Sequence, residues 1–368
     1  MSVCSNQKCN KPVGGFFQKK LLCKNCKNRF CPDCFFVDPT NMKKSLKIGY
    51  CWEDLVKTFP ALLNSRPNPP SINEINRDLS YIIPISDDPE RTFNKIRILG
   101  KGTSGTVYQV YNRETNNYFA LKEICLATSD RESIIEEFAK SVLSPCQNIV
   151  ECYALYKYND FYAILLELMD VTLTDLFKYW VNRQEYLIAY ILREVTRGLC
   201  YIHMNYNIHR DIKSENIFIN NRGNVKIGDF GLSAQLTKER DYRETFAGSP
   251  LWTAPEILNM SRYDESIDIW SLGIVCFEIA EGKTPYSESR NMVELRLNIE
   301  RREEPNINSN WSPQFKQFVE FCLRKIPGER KKASELLETE FLRNVNEAQA
   351  RQDLAQLIFY AQSVQTNK

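Results

Sequence analysis

IHRDIKSENIFINNRGNVKIGDFGL, Ile208 to Leu232, is the stretch whose reading decides the fold. Two apolar runs, Ile217–Ile219 and Val225–Ile227, flank the turn residues Asn220-Asn221-Arg222-Gly223, so its middle reads as a β-hairpin. A hairpin folds its own ends together. That brings Asp211, Lys213 and Asn216, ahead of the first strand, up against Asp229, just after the second. Two carboxylates and an amide at one point supply hard oxygen ligands for a metal-phosphate site. The bland alternative, a solvated loop on an ordinary hairpin, leaves the ordered combination HRD-x-K-x-x-N followed by DFG unexplained.

That combination resembles the catalytic loop and metal-binding loop of protein kinases. The resemblance implies that Asp211 accepts or orients the proton of a substrate hydroxyl, and that Asn216 and Asp229 hold magnesium against the phosphates of ATP. Lys213, two residues after Asp211, matches the serine/threonine type, where it supports the transferred phosphate. Phosphoryl transfer offers little covalent chemistry to catalyse, so positioning and charge stabilisation dominate. His203 and His209, the two histidines of the chain, read as packed core residues.

Upstream, Phe93–Leu99 alternates like a strand and runs into Gly100-Lys101-Gly102-Thr103-Ser104-Gly105-Thr106-Val107. Glycines let a backbone approach phosphate oxygens closely. A dinucleotide-binding loop would open a helix, whereas this one leads into another strand pattern, Val107–Tyr111, like the kinase lid over ATP. Next, Tyr118–Ile124 is a strand carrying Ala120 and Lys122. Lys122 resembles the lysine that pairs the α and β phosphates. Its helical partner is expected at Glu137, with Glu136 as the alternative. Phe161–Leu166 reads as a buried strand ending at Glu167-Leu168-Met169, the hinge whose backbone bonds adenine in the family, with Leu166 as gatekeeper. Asp175 sits where the next helix opens, a position that favours negative charge.

Downstream, AGSPLWTAPE, ending at Ala254-Pro255-Glu256, resembles the substrate-docking loop of the sterile-twenty group of kinases, which includes the p21-activated and germinal-centre kinases. Ser249 stands where that family usually has threonine, and Thr253 where it has methionine. Thr245 matches the activating phosphosite, with Arg210 available to pair with a phosphate there. Phosphorylation comes from an upstream kinase or from autophosphorylation. Glu256 is expected to pair with Arg330. The tail, residues 343–368, has Leu354, Ile358 and Ala361 at helical spacing and reads as a helix on the large lobe in preference to a dimerisation helix.

The head of the chain is different. Thirteen cysteines are present, and six of them lie between Cys4 and Cys34. Cys23-x-x-Cys26 and Cys31-x-x-Cys34, preceded by Cys4 and Cys9, have the spacing of a structural zinc site. LLCKNCKNRFCPDC resembles the treble-clef modules, including the FYVE-like fingers that bind phosphoinositides. The resemblance implies that Cys4, Cys9, Cys31 and Cys34 hold one zinc. Cys23 and Cys26 would begin a second site that only Cys51 remains to complete. Lys19 and Lys20 fit the lipid-binding pattern but its histidines are missing, so a protein partner is as well supported as a phosphoinositide. Residues 56–92 carry six prolines, Pro60, Pro67, Pro69, Pro70, Pro84 and Pro89, and read as a semi-rigid spacer in preference to a strap.

Bulk properties exclude little and direct less. A net charge of +2 gives no general argument for nucleic acid or an anionic membrane. No apolar run reaches the roughly 18 residues of a membrane span. MSVCSNQKCNK lacks a signal segment, which makes the cytoplasm the expected location. The expected architecture is an α+β, two-lobed kinase fold over 93–342, with a zinc-binding module over 1–55, a linker over 56–92 and a helix over 343–368. The expected activity is serine/threonine kinase on protein substrates with ATP, Mg2+ and a structural Zn2+. The rivals are a pseudokinase scaffold acting through its finger, and a lipid kinase.

Overall fold

The computed structural model describes residues 69–366 except 74, 76–83, 103, 104, 128, 143–145 and 309; ahead of these it describes only the backbone of short strands. There, Arg29–Phe30, Leu21–Cys23, Ile48–Cys51 and Phe35–Val37 form a four-stranded sheet in that order, and Ser2–Val3 pairs with Pro12–Val13. The zinc-ligand expectations at Cys4, Cys9, Cys23, Cys26, Cys31 and Cys34 concern side chains outside the described residues.

The chain divides after Leu168 into two compact units, with Pro69–Ser71 belonging to the second. The first is built on an antiparallel sheet: β1 (Phe93–Gly102), β2 (Gly105–Asn112), β3 (Tyr118–Cys125), β4 (Cys152–Tyr158) and β5 (Phe161–Leu166), in the order β4-β5-β3-β2-β1. Side chains alternate between its faces. Phe93, Val110, Leu121, Ala163 and Leu165 pack on one side with the aromatic rings of Tyr108, Phe119, Tyr156 and Tyr158. Ile124, Cys152, Leu155, Tyr162 and Ile164 pack on the other with Ile134, Ile135 and Phe138 of helix α1 (Arg131–Val142).

The proline-rich connector is not a free spacer where it is described. Ile85 bridges Tyr156 on the edge strand β4: its N–H donates to Leu155 O at 2.8 Å and its carbonyl accepts from Lys157 N at 2.9 Å. An edge strand carries unpaired backbone groups, and the connector satisfies two of them. Pro70 O accepts from Lys238 N at 3.0 Å within the second unit. The apolar Leu79–Ile83 segment lies outside the described residues.

The second unit is mostly helical. Helices α2 (Leu173–Phe177), α3 (Glu185–Met204), α4 (Pro255–Leu258), α5 (Ser266–Glu281), α6 (Met292–Arg301), α7 (Pro313–Cys322), α8 (Ala333–Leu337), α9 (Glu340–Arg343) and α10 (Glu347–Thr366) surround small sheets. One sheet joins β6 (Val171–Thr172), β8 (Ile217–Ile219) and β9 (Val225–Ile227); another pairs β7 (Asn207–Ile208) with β10 (Ala234–Gln235). α3 and α5 are buried around most of their circumference, as a helix at the centre of a core must be. Asp175 reads as expected: with Thr172 it closes a capping box on α2. The tail is a helix that packs on α3, and its Leu354, Ile358 and Ala361 are buried. Glu256 and Arg330 form a bidentate pair at 2.6 and 2.8 Å, both buried. Among the described residues no helix is long and apolar enough to cross a membrane.

Candidate active site

Register makes the site in the second unit. Ile217 pairs with Ile227, Phe218 with Lys226 and Ile219 with Val225, so the hairpin's open end sits between Asn216 and Gly228. Gly228 N–H donates to Asn216 O at 3.0 Å and closes that end. Asn216 and Asp229 are thereby neighbours by construction.

Asp211 is held from all sides. Its Oδ1 accepts from Ser249 N at 3.0 Å and Ser249 Oγ at 2.8 Å; its Oδ2 accepts from Asn216 Nδ2 at 2.9 Å and pairs with Lys213 Nζ at 2.9 Å. Lys213 also donates to Ser249 Oγ at 2.7 Å, so lysine, serine and aspartate form a closed ring. Asn216 commits its amide nitrogen to Asp211, donating to its backbone carbonyl as well as to Oδ2. Asp229 is exposed and sits at φ +62°, a left-handed conformation that costs energy for a non-glycine residue. Arg210, at φ +68°, is strained in the same way.

Asp268 holds that strain. Fully buried, it accepts from His209 N, Arg210 N and His203 Nε2, each at 2.8 Å. Burial alone would raise its carboxyl; the His203 contacts and the backbone donor outweigh it and bring the carboxyl below its ordinary range. His209 is also fully buried. Burial pushes its imidazole below the ordinary value, against the pull of Asp268, Asp211 and Asp229. Its Nδ1 accepts from Asp211 N at 3.3 Å, so Nε2 carries the proton and donates to Gly228 O at 3.1 Å. Both histidines are structural, as expected, and His209 ties the Asp211 loop to the hairpin's far end.

Thr245 lies within reach of Arg210 Nη1 at 3.0 Å, and Tyr263 OH donates to its carbonyl at 2.8 Å. Further along, Glu278 is half-buried beside the loop and accepts from Ser214 Oγ at 2.9 Å. Burial raises its carboxyl to about 7, partly offset by that hydrogen bond.

In the first unit, Lys122 pairs with Glu137 at 2.7 Å, and Glu136 instead pairs with Lys140 at 3.3 Å. Helical spacing allows the second pair: the exposed Glu136 and the half-buried Lys140 are one turn apart. Cross-strand pairs Val107–Lys122, Ile164–Lys122 and Leu166–Ala120 put Val107, Ala120, Lys122 and Leu166 on one face of the sheet. Gly105 is the glycine its turn requires, with φ +126° and Glu123 O standing where a Cβ would go. Cβ atoms on Gly100 or Gly102 would meet nothing within 4 Å, which leaves open space beside the backbone for a ligand. Lys101 is exposed and pairs with Thr106; Thr103 and Ser104 lie outside the described residues. Glu167 N donates to Glu151 O at 2.8 Å as β5 ends, and Met169 opens the second unit half-buried.

The donor set fits magnesium. Among the described residues no group of three or more His, Cys, Asp or Glu side chains could hold a metal. An ion here would rest on the two oxygen side chains Asn216 and Asp229, which suits a cation that keeps most of its water and takes the rest of its ligands from phosphate. The sequence reading missed Ser249 as a partner of Asp211 and Lys213. It also missed Tyr263 beside Thr245, which lies 18 residues downstream. No local signal marks either one.

Comparison with known proteins agrees with this geometry. Residues 93–342 match the protein kinase domain family. Mitogen-activated protein kinase kinase 1 of Arabidopsis thaliana is 38% identical over 286 residues, 75% of this chain and 78% of its own length. Serine/threonine-protein kinase hippo of Drosophila melanogaster is 38% identical over 264 residues, 70% of this chain. Serine/threonine-protein kinase cst-1 of Caenorhabditis elegans is 35% identical over 268 residues, 71% of this chain. This chain spans only 39% and 53% of the length of the last two. The chain belongs to the protein kinase family, and residues 93–342 are its serine/threonine-type kinase domain.

Proposed function

We propose that this protein transfers the γ-phosphate of ATP to serine or threonine hydroxyls of protein substrates. The observation that carries the reading is the closure of the hairpin at Gly228–Asn216, which sets Asn216 and Asp229 together next to a fully anchored Asp211. Asp211 orients the acceptor hydroxyl and takes its proton as that oxygen bonds to phosphorus and the bond to the β-phosphate oxygen breaks, releasing ADP. Lys213 steadies the transferred phosphoryl group. Lys122, held by Glu137, neutralises phosphate oxygens. Asn216 and Asp229 hold magnesium, which when bound offsets phosphate charge. The glycine segment 100–107 covers the phosphates, and Ala120, Leu166, Glu167 and Met169 serve the adenine.

The finer readings belong to the same proposal. The segment 247–256 and the hippo and cst-1 relatives support a sterile-twenty-like kinase, and the Arg210–Thr245 contact supports a switch by phosphorylation of Thr245. Cysteine spacing supports a zinc-binding head at Cys4, Cys9, Cys23, Cys26, Cys31 and Cys34 with a protein or phosphoinositide partner, in a cytoplasmic enzyme. Nothing in the site favours the pseudokinase scaffold. Radiolabelled phosphotransfer by wild type and Asp211→Ala tests the main reading: activity lost in the variant is expected, and equal signals would overturn it. Zinc content of purified protein, measured by mass spectrometry, tests the head; absence of zinc would remove it.

A further inference from the structure

Helix α10 lies beyond residue 342, outside the matched kinase domain. Its apolar face, Ala350, Leu354, Ile358 and Ala361, is buried. Its polar edge does something more specific. It reaches the closed end of the hairpin whose open end carries Asn216 and Asp229. Arg351 donates to Asn224 Oδ1. Gly223, at φ +73°, packs so closely on α10 that a Cβ there would collide with Arg351 O. Gln362 Nε2 donates to Asp170 Oδ1 at 3.1 Å, while Asp170 Oδ2 accepts from Asn221 N at 2.7 Å. Asp170 is thus a bridge from the helix to the turn, and its own N–H donates to Ile219 O at 3.1 Å.

Around these contacts the helix is anchored independently. Tyr186 OH donates to Asp353 at 2.7 Å, and Arg193 pairs with Glu347 at 2.9 Å. Tyr190 OH donates to Gly223 O at 2.9 Å, so α3 and α10 hold the same turn. The hairpin has three paired positions per strand, so its two ends are only about 10 Å apart at the usual strand rise. A rigid unit that short transmits a tilt at the turn directly to Asn216 and Asp229.

We infer that α10 is a clamp on the hairpin turn, and that Arg351, Gln362 and Asp170 are positioning residues for the metal-bearing pair Asn216–Asp229. The inference rests on the phosphotransfer reading of those two residues. Loss of the clamp leaves the chemistry in place but lets the ligands drift, and sub-ångström placement is what such sites depend on.

The test uses the full chain with Arg351→Ala/Gln362→Ala, and with Arg351→Lys as the conservative control. Two readouts are taken at a temperature where every variant is fully folded. In steady-state kinetics at saturating ATP, the double variant is expected to need about three- to tenfold more Mg2+ for half-maximal rate, with peptide KM unchanged and Arg351→Lys near wild type. In hydrogen exchange, the N–H of Gly228 is expected to exchange faster along with the turn amides 221–224. A helix that merely adds stability would lower the thermal midpoint, leave the Mg2+ dependence alone and speed the N–H of Gly228 no more than core amides elsewhere in the second unit; that result overturns the clamp. Faster exchange confined to the turn overturns it as well. Should wild-type phosphotransfer prove independent of Asp211, the kinase reading falls, and the exchange readout still decides whether the helix holds the hairpin's far end.

Discussion

Arg210 donates to the hydroxyl of Thr245 at 3.0 Å, across 35 residues of sequence, and the same guanidinium reaches Tyr263 OH at 3.2 Å and Ser233 O at 3.4 Å. Arg210 immediately precedes Asp211, and Asp268 fixes its backbone. A phosphate on Thr245 would meet a planar, bidentate donor already aimed at it. Thr245→Ala is expected to lower phosphotransfer at least about tenfold, and phosphatase treatment of wild type to do the same. Rates are compared on one peptide, with the phosphorylation state of Thr245 read by mass spectrometry. Equal rates would remove the switch.

The Glu256–Arg330 pair is buried and has two parallel hydrogen bonds, and Arg330 further donates to the carbonyls of Ser266 and Arg324. Removing one partner strands the other charge in the core. Arg330→Ala is expected to cost about 3–5 kcal/mol in urea unfolding. A loss under about 1 kcal/mol would show that water reaches the pair.

Glu278 makes stability depend on pH. Its folded value is raised to about 7 from 4.5. A raised value means the group's stabilising contribution is full below the unfolded value and is lost as pH climbs through the folded one, a change on the order of 3 kcal/mol. Glu278→Gln keeps an acceptor for Ser214 and removes the titration. The variant is expected to melt higher than wild type at about pH 8, with the gap shrinking toward about pH 5. A gap independent of pH would assign the effect to something other than this carboxyl.

The lid glycines separate into two kinds. Gly105→Ala must both hold φ +126° and displace Glu123 O, so it is expected to destabilise the first unit by about 1–3 kcal/mol. Gly102→Ala enters open space and is expected to leave the melting temperature unchanged while raising KM for ATP. A Gly102→Ala variant with wild-type KM would mean that the nucleotide does not come close to that backbone.

Much of this was legible along the chain because it is local. The turn Asn220–Gly223 between two apolar runs dictates a hairpin, and a hairpin by itself brings Asn216 to Asp229. The strand alternation around Lys122 and the helical spacing of Leu354, Ile358 and Ala361 are equally local. Family resemblance added roles to those residues.

Partner choice was not legible, because it depends on what the folded backbone carries into reach. Two adjacent glutamates compete for Lys122, and only the way α1 packs on the sheet turns Glu137 inward while the exposed Glu136 pairs with Lys140. Ser249 caps Asp211 from 38 residues away. The connector reads as a spacer until the open edge of β4 binds it. The sequence by itself determined the hairpin, the order of chemical groups around it and a helix within residues 343–368. Only the tertiary structure decided that this helix would lie on the hairpin's turn, because that contact is made by a glycine too small to obstruct it and by polar side chains that no periodicity marks.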